Sequence, residues 1–296
     1  KPTANQVFKT NPIAVEGSTS PAIEEVTISL PLPDVTLEDD KFEDNAPGWT
    51  KDGLWHLTTK KANSPTHSFG FMKEDTNDYN VLQSGYPINH EGTITSPELQ
   101  IQGATNLSFY QYWNTKPGFW SDWKMVRVKN GTAIDNLAIV DDLDPTQSGG
   151  GALKAGEACR VYPLSDLKNE LQTLQNKWPN LTGDEFNKFY NLQNAVGSLE
   201  SFDPDVQNLV IAPQKSWTQC SLKLDSYAGQ AISIQFHFNT VYNIENTGEG
   251  WFIDDKLVVG KSFRTQTVPT VGDTTFATTF TIGEGANTIT VKAKTP

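Results

Sequence analysis

Basic residues are scarce in this 296-residue chain: 23 Lys and Arg stand against 35 Asp and Glu, a formal charge of -12. With no Lys/Arg cluster, nothing in the chain can neutralise a phosphate backbone, which excludes nucleic acid as a partner. No apolar run approaches the roughly 20 residues needed to span a bilayer. No signal peptide is visible either, although the chain opens at Lys1 and not at Met, which is compatible with a removed leader. Chemistry-bearing residues are few. The four histidines are His56, His67, His90 and His237, and the cysteines number two. No His-Glu-x-x-His helix or Gly-x-Ser-x-Gly elbow occurs. Neither cysteine sits in a protease-like context, and no spacing singles out an acidic pair for glycoside hydrolysis. The expectation is a protein that is not an enzyme.

What the chain does have is the composition of a β-rich protein: Thr, Val, Ile, Gly and Asn throughout, eight Trp, and frequent Pro punctuation. Asn106-Leu107-Ser108, Asn130-Gly131-Thr132 and Asn180-Leu181-Thr182 fit the glycosylation acceptor pattern, a weak pointer to the cell exterior. Cys159 and Cys220 are either one disulfide, as an even pair in an extracellular-type sequence suits, or two buried thiols. Their spacing and lack of a neighbouring histidine exclude a zinc site.

The central stretch reads as successive strands. Leu107–Trp113 and Lys124–Val128 are strong strand segments, and Ile232-Ser233-Ile234-Gln235-Phe236-His237-Phe238 alternates strictly. In Gly250–Val259, apolar Trp251, Ile253, Leu257 and Val259 alternate around two adjacent aspartates, Asp254 and Asp255. Carboxylates inside a strand resist burial unless a cation or hydrogen-bond donors satisfy them.

Five fragments occur in order: Phe42-Glu43-Asp44, Gly53-Leu54-Trp55-His56-Leu57, Gly92-Thr93-Ile94-Thr95-Ser96-Pro97, Tyr227-Ala228-Gly229-Gln230 and Gly250-Trp251-Phe252-Ile253-Asp254-Asp255. Together they resemble the MAM-like jelly-roll modules of secreted bacterial peptidases and adhesins, including the cleaved-adhesin type. The match covers two blocks, 41–130 and 215–259. The resemblance implies a non-catalytic, exported β-sandwich that often holds structural calcium near the Phe-Glu and Asp-Asp positions. Glu43, Asp44, Asp254 and Asp255 are therefore the expected Ca2+ ligands, on first and last strands that commonly pair. Asp75, Asn77 and Asp78 form a weaker loop candidate without the glycine and terminal glutamate of a helix-loop-helix calcium loop.

Between the blocks the chain departs from this pattern. Asp135–Asp144 is acidic, and Gly149-Gly150-Gly151 marks a loop. Leu164, Leu167, Leu171, Leu174 and Trp178 follow helical spacing, and Pro179 stops the helix. Thr182 and Glu185 form a capping box for a second helix running to about Val196. This helical insert, about 135–213, is either a contact surface or a cap on the sandwich.

The two ends resemble bacterial immunoglobulin-like repeats. Asn11–Thr19 matches an opening strand and turn, and residues 272–293 match a closing hairpin. Neither piece alone could bury a stable core. The expected organisation is an immunoglobulin-like sandwich with its first half in 1–36 and its second in 261–296, interrupted by a jelly roll over 37–260. Each flank could instead pair with another chain.

Two functions follow as expectations. One is a non-catalytic, extracellular or cell-surface structural or adhesive protein, such as a surface-layer or fibre (filament) subunit, whose partners are other copies of itself or surface proteins. The alternative is a carbohydrate-binding module of a larger secreted hydrolase or peptidase, with Trp113, Trp120 and Trp123 stacking on glycan rings; core packing is the competing role for these indoles.

Overall fold

The computed structural model describes residues 13–18, 23–75, 82–83, 86–87, 90–116, 122–148, 151–240, 248–269, 275–280 and 289–294. The protein is all-β apart from a helical hairpin. It divides into two compact units, one spanning 36–259 and one assembled from 1–35 and 260–296.

The larger unit is a jelly-roll-type β-sandwich. Its first sheet sets Thr218–Lys223 beside Thr105–Asn114, which neighbours the strand beginning at Gly250. Trp251, Phe252 and Ile253 also pair with Phe71, Gly70 and Phe69 of the Ser68–Phe71 strand, whose other edge takes Trp55–Thr58. Gly250 makes that register possible. At φ +99° it sits so close to the Phe71 carbonyl that a Cβ would lie 2.2 Å from the oxygen.

The second sheet runs Arg160–Pro163, Asn208–Ile211, Ala133–Asp141, Asp122–Asn130, Ala231–Thr240, Glu91–Thr95 and Thr50–Lys51, with Leu99–Gln100 also pairing with Ala231–Thr240. The two sheets enclose a core that includes Trp55, Phe71, Phe109, Trp113, Val126, Phe236, Phe238 and Trp251. At its centre the buried Gln111 amide is satisfied on both sides. Trp251 Nε1 donates to Gln111 Oε1 at 3.0 Å, and Gln111 Nε2 donates to Cys220 Sγ at 3.1 Å. Cys159 and Cys220 form a disulfide with Cα atoms 5.4 Å apart.

The insertion begins later than the acidic composition suggested. Ala133–Asp141 belongs to the sandwich, antiparallel to Asp122–Asn130 and parallel to Asn208–Ile211. A parallel pair requires a crossover, and the helices supply it. Helix α1 covers Leu164–Asn176 and α2 covers Gly183–Phe202. Leu164, Leu167, Leu174, Leu192, Val196 and Leu199 pack with Trp123, Met125, Ile139, Leu209 and Ile211 of the second sheet. The sheet is thus covered on both faces, so its strands lose the alternating pattern. Leu137, Ala138, Ile139, Val140 and Asp141 are all buried.

The Thr182 cap forms as expected. Thr182 Oγ1 accepts from Glu185 N at 3.3 Å, and Glu185 Oε2 accepts from Thr182 N at 3.0 Å. Helix α2 runs past Val196 to Phe202 because Ser198 and Leu199 are still buried. Trp178, placed by spacing on the buried face of α1, instead lies beyond the helix end and is 55% exposed.

The smaller unit is an immunoglobulin-like β-sandwich drawn from both chain ends. Ile13–Ser18 pairs antiparallel with Thr275–Phe280, and Glu25–Ser29 with Thr290–Lys294. Val15, Val26, Ile28 and Leu30 form its core, with Ile23, Val268, Phe276 and Ile289 packed against them.

Candidate cation site

Glu43 and Asp254 meet at Ser64. Glu43 lies in a turn, not on the strand expected from sequence. The turn is tight: Phe42, Asn45 and Ala46 all have positive φ, at 59°, 68° and 48°. Phe42 and Ala46 are buried, which anchors the turn and holds Glu43 at its surface. Asp254 enters from the strand that starts at Gly250 and is fully buried.

The segment 63–67 wraps both carboxylates. Asp254 Oδ2 accepts from the backbone of Asn63 at 2.7 Å and of Ser64 at 2.8 Å. Glu43 Oε1 accepts from the backbone of Thr66 at 3.0 Å and of His67 at 2.9 Å, and Thr66 Oγ1 bonds Glu43 Oε2. These contacts, the Thr66 hydroxyl first, hold the Glu43 carboxyl far below the usual carboxylate range. For Asp254, burial outweighs the donors and pushes the carboxyl up.

The hydroxyl of Ser64 reveals what the arrangement can do. Its oxygen lies 2.9 Å from Asp254 Oδ1, 3.1 Å from the Lys41 carbonyl and 3.2 Å from Glu43 Oε1. One hydroxyl proton can serve one of these three acceptors. The other two are contacts between acceptor oxygens, although Asp254 Oδ1 also accepts from Asp255 N at 2.7 Å, so a hard cation would share these oxygens with donors already in place. Among the described residues no three His, Cys, Asp or Glu side chains gather around one point. A cation here would therefore draw on the Lys41 carbonyl and the Ser64 hydroxyl as well as on two carboxylates. That oxygen-only donor set fits calcium in kind.

The other expected ligands are placed differently. Asp255, at φ 45°, accepts from Asn63 Nδ2 at 2.7 Å on the rim of the cluster. Asp44 is exposed in the turn and is not among the groups that meet at Ser64. Asp75 is exposed elsewhere, and Asn77 and Asp78 lie outside the described residues. Sequence reasoning missed Ser64, Asn63 and the Lys41 carbonyl. The turn composition Asn63-Ser64-Pro65-Thr66 is the signal that could have flagged the loop.

A buried cation already sits two residues beyond Asp254. The Lys256 ammonium, with no exposed side-chain surface, contacts Glu38, with Asp40 at 3.8 Å and the Trp49 ring at 4.9 Å. Burial pushes Glu38 up to about 7 even against the pull of Lys256. Burial likewise lowers the Lys256 ammonium, against the opposing pull of Glu38.

The expected sugar platforms need correction. Trp113 is fully buried beneath the Lys124 ammonium, 4.1 Å from its ring centre. Trp123 is 4% exposed and stacks on Phe202 at 3.9 Å. Neither ring can present a face to a glycan: strand phase turns Trp113 into the core between the sheets, and Trp123 lies under the helical hairpin on the other face of the second sheet. Trp120 lies outside the described residues. On the Thr105–Asn114 strand the solvent-facing aromatics are Tyr110 and Tyr112, one step out of phase with Trp113.

No protein-family model matches the chain, and no curated protein matches it. Among solved structures the chain is similar to the K3 cleaved adhesin domain of Lys-gingipain from Porphyromonas gingivalis, with 13% identity and a TM-score of 0.37, covering 77% of this chain and 99% of that one. It is also similar to TmCBM61 in complex with β-1,4-galactotriose, with 9% identity and a TM-score of 0.34, covering 74% and 92%. A third is the CBM22-1 xylan-binding domain of Xyn10C from Paenibacillus barcinonensis, with 8% identity and a TM-score of 0.33, covering 76% and 93%.

Proposed function

We propose that the chain is a non-catalytic, extracellular adhesive or structural protein whose jelly roll is clamped by calcium at Lys41, Glu43, Ser64 and Asp254. The observation that carries this reading is the convergence of three acceptor oxygens on one Ser64 hydroxyl. The ion would join the 41–43 turn to a strand 191 residues away from Asn63 in sequence. It ties a surface loop to the core and has no open reaction to perform.

Both cysteines and three of the four histidines are engaged by neighbouring groups, as a structural role would have them. Both cysteines are locked in the disulfide. His237 is buried, bonded to Thr93 Oγ1 at 2.8 Å, and held neutral, its pKa pushed down to about 3 by burial and by Arg127. His56 is taken by the Leu54 carbonyl and Glu74. His67 lies against Glu43 at 3.2 Å.

Thermal unfolding in calcium and in excess chelator tests the clamp. An ion supplied at about a hundred times its Kd adds about 2.7 kcal/mol, which for a chain of this size raises Tm by roughly 4 °C. Glu43→Gln should remove most of that rise. Superimposable wild-type melts in calcium and chelator would contradict the clamp.

A further inference from the structure

We infer that the outer face of the first jelly-roll sheet, at Tyr112, Trp217, Lys61, Glu249 and Asn114, is a binding site for a neutral oligosaccharide. The inference rests on the adhesive reading and adds the ligand that reading leaves open.

The site is built by strand alternation. Along Thr105–Asn114 the residues Leu107, Phe109, Gln111 and Trp113 point into the core, which leaves Ser108, Tyr110, Tyr112 and Asn114 on the outer face. The neighbouring strand repeats the pattern, with Gln219 opposite Tyr110 and Ser221 opposite Ser108. Trp217 stands at the head of that strand, half-buried, its ring centre 5.9 Å from Tyr112 and tilted by 53°. Buried Phe252 supports the Tyr112 ring edge-on at 5.9 Å.

Glu249 is held between Gly248 and Gly250, both at positive φ. There it accepts from Tyr112 OH at 2.6 Å, from Asn114 Nδ2 at 3.2 Å and from Lys61 Nζ at 2.8 Å. The Lys61 ammonium also lies 4.3 Å from the centre of the Tyr112 ring. Burial pushes the Glu249 carboxyl up, but the Lys61 and Tyr112 bonds outweigh it and hold it down, so the group is a fixed acceptor at neutral pH.

These parts match one chemistry. A sugar presents a CH face that stacks on an aromatic ring and hydroxyls that need both donors and acceptors. Because Lys61 covers the Tyr112 ring, the proposal assigns the stacking role to the half-buried Trp217. Lys61 and Glu249 cancel in charge while offering a cation, a carboxylate, a phenol and an amide within one patch. That balance fits a neutral polyhydroxyl ligand better than an ionic one. On a chain of net charge -12 an acidic polysaccharide is disfavoured further. The polar ladder Tyr110, Gln219, Ser108 and Ser221 continues from the aromatic pair and gives an extended oligosaccharide a track.

Isothermal titration with neutral xylo-, cello- and galacto-hexasaccharides tests the site on the intact chain. The inference expects saturable binding to at least one of them, weakened about tenfold or more by Trp217→Ala and also weakened by Glu249→Gln. Trp178→Ala, which removes an exposed indole on the helical hairpin, should leave affinity unchanged. Thermal melts of each variant confirm folding, and Trp217→Phe, which retains an aromatic face, should recover most of the binding. No binding to any of the three, binding that survives Trp217→Ala, or binding confined to acidic oligosaccharides would overturn the inference. If Trp217→Ala loses sugar binding but the chain still adheres to intact cells, the adhesive reading and the glycan site separate cleanly. Adhesion without any sugar binding would sink the glycan site alone.

Discussion

Asp141 closes a sandwich strand with its carboxyl buried beside Lys124 and Asp142, and burial pushes it up to about 7 against the opposing pull of Lys124. The folded chain therefore binds this proton more tightly than the unfolded chain, whose value is near the ordinary 3.8. The stability Asp141 contributes is whole below about pH 4 and is lost as pH rises through about 7. His237 has the opposite sign, since its folded value is depressed, so the raw stability profile mixes the two. The difference between wild type and Asp141→Asn isolates the term. Across pH 5–7 that difference should move in favour of the variant, by up to about 1.4 kcal/mol per pH unit. Urea melts at three pH values would read it, and a pH-independent difference would contradict the assignment. Such buried carboxyls are invisible in sequence. Asp141 and Asp142 look like part of a solvated acidic loop until the strand and the Lys124 ammonium are placed around them.

At the scale of elements, the hairpin shows what sequence can and cannot give. Spacing and the capping box located both helices, because periodicity and a Thr-x-x-Glu cap are local signals. Replacing Thr182 by Ala should cost about 1 kcal/mol and speed amide exchange in the first turns of α2. Unchanged exchange there would show that the cap is dispensable. The strand Ala133–Asp141 was not legible, since burial on two faces erased alternation and its flanking aspartates resembled a loop. The candidate cation site was half legible. Asp254 stood out as a carboxylate inside an apolar run and Glu43 through the family resemblance, whereas Ser64 and the Lys41 carbonyl carry no signature of their own. The tryptophans misled for a related reason: composition names a ring, but only strand phase decides whether Trp113 or Tyr112 faces solvent.

On the scale of the whole molecule, two β-sandwich units share one acidic chain, the smaller drawn from both ends and the larger carrying the hairpin. No helix among the described residues is long and apolar enough to cross a membrane. A surplus of 12 negative charges repels compact packing and is eased wherever a cation is held between carboxylates. The calcium clamp proposed at Ser64 would ease part of that repulsion and tie the 41–43 turn to the core. Calorimetric titration of Ca2+ into the chelator-treated chain measures it directly, alongside Asp254→Asn and Glu43→Gln. The account predicts saturable uptake of about one ion by this oxygen set, lost in Asp254→Asn and weakened in Glu43→Gln. Absence of calcium binding to the wild-type chain, or equal binding by all three proteins, would contradict it.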